Sequence, residues 1–328
     1  MLSLLVTTSQ AQPTGLSSEI IEPPVSLDEC KPVDLRKAEF SMHGMPVRDQ
    51  GKTGLCFSYV ASQMVQAYTK SHGGPEIYPN PILTSVEMLR EHEKPTLKNY
   101  KPWEDGGYVA IALEEIQKQG TCKAGDLGFD EYKLLNPLLE MQKLYEKRLD
   151  YRLRPDELAR QICVNREYLP VKMKSLTDCS GGFSPLDLIL EPMSNREFIR
   201  RAILAPCENP ANRISVKVPK MQEKNSNFAK NLSDFLSRNH PQPVFGSLCM
   251  EFLQTGGKTK ECSPHAVLMV GRRREGSRCQ YLIRNSHGIG HGCYGLKAAK
   301  DCEHGEFWVD GDDLAKNLKQ IGVLGDSQ

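Results

Sequence analysis

With 328 residues, 39% of them hydrophobic, the chain is long enough to bury one large core or two packed lobes without staples. Its 42 Lys and Arg against 41 Asp and Glu leave a formal charge of +1, which argues against a general electrostatic grip on nucleic-acid phosphates or anionic lipid. No apolar run approaches the roughly 18 residues of a membrane-spanning helix, so no membrane span is expected.

The first twelve residues carry one apolar stretch, Leu2-Ser3-Leu4-Leu5-Val6, with no basic flank and too short for an intact secretory signal. Residues 13–50 are rich in Pro, Ser, Gly and charge and read as an extended arm over the surface. From Cys56, the residues Phe57, Val60, Ala61, Met64, Val65 and Tyr68 fall at helical spacing, which predicts a buried amphipathic helix opening at Cys56 and ending at Gly73-Gly74. A second helix is predicted over residues 108–118, between Gly106-Gly107 and Gly120. Leu-rich, charged sequence over 130–170 predicts a helical excursion, and 228–236 a short helix. The last third changes period: short apolar runs at 243–248, 265–271, 280–285 and 305–309, bounded by turn residues, predict strands. A helical half is thus followed by a sheet-containing half.

Eleven cysteines, at 30, 56, 122, 163, 179, 207, 249, 262, 279, 293 and 302, favour disulfides and an oxidising compartment, secreted or periplasmic. The odd count leaves at least one thiol free in a monomer, and spacing does not assign the pairs. Cys262, His265, His291, Cys293, Cys302 and His304 include zinc-type ligands, but their spacings are not those of a structural zinc site, so neither a metal nor any other cofactor is expected.

Cys56 follows the glycine-bearing loop Gly51-Lys52-Thr53-Gly54 and opens a helix, where N–H groups and the helix dipole favour a thiolate. A thiolate attacking a carbonyl needs a proton manager and an oxyanion donor. His265 begins an apolar strand after Ser263-Pro264, so its ring can face a cleft while the strand is held by packing. Asn285 ends another strand and can orient the imidazole, while Gln50, six residues before Cys56, can offer an amide N–H beside the Cys56 backbone.

These residues resemble the papain-like cysteine peptidase family. The likeness lies in Pro46-Val47-Arg48-Asp49-Gln50-Gly51 with Gly54-Leu55-Cys56-Phe57-Ser58, in His265-Ala266-Val267-Leu268-Met269-Val270-Gly271, and in Tyr281-Leu282-Ile283-Arg284-Asn285-Ser286 with its following glycines. It implies Gln50 in the oxyanion hole, Cys56 as nucleophile, His265 as base and Asn285 as orienting residue, with Gly106-Gly107 lining the substrate backbone. The implied fold is α+β, two-lobed and papain-like, with a helical lobe and a sheet-rich lobe around one cleft. Residues 1–40 form an N-terminal arm or control segment and 41–328 the catalytic domain, with a helical insertion at about 123–235 that is a candidate contact for a partner. Peptide or protein is the implied substrate.

Three positions depart from the family pattern. Phe57 stands where Trp is usual after the nucleophile, His287 where a shielding Trp is usual, and Thr53 where a half-cystine is common. The triad defines how a carbonyl is attacked and not which amine leaves, so isopeptide or cell-wall peptide hydrolysis and acyl transfer are alternatives. A catalytically silent peptide-binding protein is the reading from a different class.

Overall fold

The computed structural model describes residues 26–51, 53–75, 77–85, 106–122, 213–257 and 262–325. The helical excursion expected over 130–170, and residues 1–25 of the arm, lie outside the described residues, as do Cys163, Cys179 and Cys207.

Helix α1 (Cys56–Ser71) is buried along its whole first three turns, polar residues included. It is therefore a core helix more than an amphipathic one, and its polar side chains turn back on the backbone: Ser58 Oγ donates to the Leu55 carbonyl at 3.0 Å. It stops at His72, and the chain leaves through Gly73 at φ 67°. Helix α2 (Val109–Gln119) buries Val109, Ala112, Leu113 and Ile116, the i, i+3, i+4, i+7 stripe that packs on α1, and Gly120 at φ 71° ends it.

The remaining described chain builds one eight-stranded sheet with the order β4-β10-β5-β6-β7-β9-β8, to which β1 adds by pairing with β6. Its members are β1 (Val33–Asp34), β4 (Gln222–Lys224), β5 (Val244–Cys249), β6 (Pro264–Glu275), β7 (Arg278–Arg284), β8 (Lys300–Glu303), β9 (Glu306–Asp310) and β10 (Leu318–Val323). A two-stranded ladder of β2 (Thr121–Cys122) and β3 (Arg213–Ile214) lies apart. Short helices α3 (Phe228–Leu236), α4 (Met250–Thr255), α5 (Gly288–His291) and α6 (Gly311–Asn317) complete the described elements. Every strand neighbour in the large sheet is antiparallel, with tight hairpins at β6–β7 and β8–β9 and chain-distant pairings elsewhere. Strand β5, paired on both sides, reads as a near-continuous apolar run because both of its faces are covered.

α1 packs across β6, so helices and sheet share a single apolar core. The described part of the arm is bound to the sheet: Val33 and Asp34 pair with Arg272 and Gly271, and Cys30 is bridged to Cys279 on β7. Buried Arg272 donates to Lys31 O at 2.8 Å, to Ser233 of α3 and to Ser237, which caps that helix, and so ties arm, sheet and helix together. Deeper in the sheet, Arg284 pairs with Glu306 at 2.7 Å, whose second oxygen meets Arg36 at 3.0 Å.

One feature differs from expectation. The segment expected as an insertion, 123–235, carries β4 and nearly all of α3, yet β4 is hydrogen-bonded to β10 and α3 buries Phe228, Leu232, Phe235 and Leu236 in the core. Its last fourteen residues thus serve the sheet, and residues 123–212 lie outside the described residues. As cysteine usage favours, disulfides pair Cys249 with Cys262 and Cys293 with Cys302, which engages Cys262, Cys293 and Cys302, the cysteines weighed as zinc ligands. Among the described residues, no helix is long and apolar enough to cross a membrane.

Candidate active site

The chain reaches Cys56 through a segment stitched to the other end of the sequence. Gln50 N donates to Ser286 O at 2.7 Å, Gly288 N to Arg48 O at 3.0 Å, and Asp49 forms an antiparallel bridge with His287. The loop before Cys56 is therefore held against the turn that follows Asn285.

Cys56 is the first residue of α1, and it is the free cysteine among the described residues. No acidic residue stands in the first turn and no side chain caps it, so the terminal N–H groups are left for the sulfur. The backbone N–H groups of Ala266, Phe57 and Cys56 all favour the thiolate, but burial outweighs them and pushes the thiol up from its usual value. The helix-terminus argument alone anticipates the opposite direction.

His265 lies near the start of β6, is 6% exposed, and shares with Cys56 the wall of a cavity of about 600 Å³. Its Nε2 meets Asn285 Oδ1 at 2.9 Å, while Asn285 Nδ2 donates to Gly292 O at 3.2 Å. A carbonyl oxygen only accepts, so this second bond orients the Asn285 amide with its oxygen toward the imidazole. His265 must then carry its proton on Nε2, which leaves Nδ1 as the basic nitrogen. Burial holds the His265 pKa below the ordinary imidazole value, with Asn285 working in the opposite direction.

His287 covers this pair. Its ring is stacked on that of His265, with centroids 5.2 Å apart and planes 15° from parallel. Half-buried itself, it has its pKa lowered by burial and then by His265. An imidazole therefore takes the shielding place over the histidine, with a flat face in contact as a larger aromatic would have.

Gln50 is brought close to the site but not onto the cavity wall. Its Nε2 donates to Thr53 O at 2.5 Å and its Oε1 accepts from Ser286 Oγ, which leaves one amide N–H uncommitted. Gly106 and Gly107 both line the cavity. Gly106 sits at φ 78°, in the left-handed region that side chains disfavour. A Cβ at Gly107 would fall 2.8 Å from Cε2 and Cζ of Phe57, so the backbone of one cavity wall lies directly on the ring that follows Cys56. Gly107→Ala is expected to lower stability by about 1–3 kcal/mol through this overpacking. Urea unfolding measures it, and a double cycle with Phe57→Leu should recover part of the loss; additive losses would show that the ring is not the obstacle.

Sequence reasoning missed the Ala266 N–H on the sulfur, because a backbone donor has no residue signature. It also missed the cavity wall built by β10, whose mixed sequence Leu318-Lys319-Gln320-Ile321-Gly322-Val323 follows neither strand nor helix period cleanly.

No protein-family model matches the chain, and no curated protein matches it significantly in sequence. Among solved structures it is similar to the digestive procathepsin L 3 of Tenebrio molitor larval midgut, with a TM-score of 0.46 and 11% identity over 94% of this chain and 77% of that one. The digestive procathepsin L2 proteinase of the same larval midgut gives 0.47 and 13%, over 90% and 68% of the two chains. The ragweed pollen allergen Amb a 11, a cysteine protease in its proform, gives 0.47 and 14%, over 90% and 66%. Likenesses of this depth leave the chemistry to be read from the side chains themselves.

Proposed function

We propose that this chain is a papain-like cysteine peptidase, which hydrolyses peptide or protein substrates through an acyl-enzyme on Cys56. One observation carries the reading: a free cysteine at a helix N-terminus and a histidine fixed by Asn285 as its Nε2–H tautomer line the same cavity.

The pair starts neutral, since burial disfavours the charged form of each partner. As a substrate carbonyl seats in the cavity, the thiol proton passes to His265 Nδ1 and the sulfur lone pair attacks the carbonyl carbon. The carbonyl π pair moves to oxygen, where the backbone N–H of Cys56 and the uncommitted N–H of Gln50 are the assigned donors. When the carbon–nitrogen bond breaks, the leaving amine takes the proton from His265. Water, deprotonated by the same nitrogen, then releases the acyl group as a carboxylic acid and restores the thiol. Asn285 keeps the ring oriented through both half-reactions, and Gly106 and Gly107 let the substrate backbone approach. The three disulfides among the described residues support the secreted or periplasmic location expected from cysteine usage.

Digestion of a defined mixture of synthetic peptides, followed by mass spectrometry, tests the reading. New termini should accumulate with time and stop when Cys56 is alkylated. An intact mixture, under conditions in which Cys56 is shown by alkylation to be a free thiol, would overturn it.

A further inference from the structure

The cavity beside Cys56 is not electrically neutral. Lys319 of β10 is the one residue with a fixed charge on its wall, and no Asp or Glu lines it among the described residues. Other cations, on α6 and β7, are already paired: Lys316 meets Asp313 at 3.8 Å and Arg278 meets Asp310 at 3.1 Å. Lys319 has no carboxylate partner among the described residues.

The backbone shows how Lys319 comes to face the cavity. In the β10·β5 ladder, Leu318 stands opposite Leu248 and Gln320 opposite Ser247, so two residues advance on β10 while one advances on β5. Lys319 is the extra residue of a β-bulge, the device by which a strand re-aims a side chain. In a regular strand Lys319 and Gln320 would point to opposite faces. Here both line the cavity, together with Ser247. Asn225, just past β4, adds a further amide to the same wall, beside the apolar surface of Phe245 and Val109.

We propose that Lys319 makes this cavity a receptor for an acidic side chain, so that the enzyme selects substrates carrying Glu or Asp at the position seated there. This rests on the peptidase reading and names the substrate class that reading leaves open. The ammonium is a point charge on a flexible stem that reaches a carboxylate over the apolar wall. Gln320, Asn225 and Ser247 supply neutral donors for the second oxygen. A lysine still open to solvent gives a modest preference, of about three- to fivefold, which is the scale of an exposed ion pair. Salt should weaken it.

Matched peptides differing only by Glu or Gln at each position around the scissile bond, all amidated at the C-terminus, test the proposal through the ratio of their kcat/KM values. At one position the wild-type ratio should favour Glu by about three- to fivefold at low salt and shrink at high salt. Lys319→Met, which keeps most of the stem, should bring that ratio near one, and Lys319→Glu should reverse it and favour Lys over Gln. Cleavage of the peptides with a ratio near one at every position would overturn the proposal while leaving the peptidase intact. So would a preference that survives in Lys319→Met, or one that appears only with a free C-terminal carboxylate. If no peptide is cut by wild-type protein, the peptidase reading itself fails.

Discussion

Cys56→Ala is expected to abolish peptide cleavage to the uncatalysed background while leaving the fold in place. The substitution removes one sulfur from a position whose packing neighbours, Phe57 and Leu55, are untouched, and alanine is the best helix former. Stability should therefore change little: the lost contacts are those of a small buried thiol, and the burial that raised its pKa no longer penalises anything. Activity falls to nothing because no other described side chain on the cavity wall can form the acyl bond in its place. The other hydroxyls on that wall, Ser247 on β5 and Tyr108 just before α2, are weaker nucleophiles than a thiol at neutral pH, and neither has a base hydrogen-bonded to it among the described residues. Burst kinetics with an activated ester give the measurement. Wild-type protein should release one equivalent of leaving group per free thiol before steady state, and Cys56→Ala none. A burst that persists in the variant would assign the nucleophile to another residue.

Much of this site was legible because its parts lie at element boundaries, where chemistry and local structure leave the same mark. Cys56 opens an apolar helical period after a glycine loop, His265 opens an apolar run after a proline, and Asn285 closes one. The structure finds α1 starting at Cys56, β6 starting one residue before His265, and β7 ending one residue before Asn285. What the sequence did not disclose depends on partners distant in the chain. The three disulfides among the described residues join cysteines 249, 13 and 9 residues apart, and no spacing rule distinguishes these pairs from the others open to eleven cysteines. Burial of Cys56 reverses the pKa direction that helix position alone suggests for it. The bulge at Lys319 is visible only in the register of β10 against β5, since a strand of six residues with a lysine and a glutamine side by side breaks the alternation that marks a half-buried strand.

His265→Ala should lower kcat/KM by roughly 10²- to 10⁴-fold, the usual contribution of a positioned base and acid. It retains the nucleophile, so slow alkylation of Cys56 should persist where turnover does not. The loss also leaves Asn285 Oδ1 without its imidazole partner inside the core, so the variant's unfolding midpoint must be measured alongside. The pH profile of the wild-type enzyme separates chemistry from packing. The productive state holds one proton shared between Cys56 and His265, so activity is lost on the acid side when the pair takes up a second proton. On the alkaline side it is lost when the pair gives up its only one. Burial pushes the histidine below its usual 6.5 and the thiol above its usual 9.0, which moves the first limb down and the second up. His287, stacked at 5.2 Å, places no charge beside the pair near neutral pH, because burial and then His265 hold its own pKa below the ordinary imidazole value. The plateau of kcat/KM should therefore extend below the pH at which a free imidazole is half protonated, with both limbs belonging to the pair and not to either residue alone. An acid limb at or above 6.5 would show that His265 is more exposed to water in the working enzyme than its place beneath His287 implies.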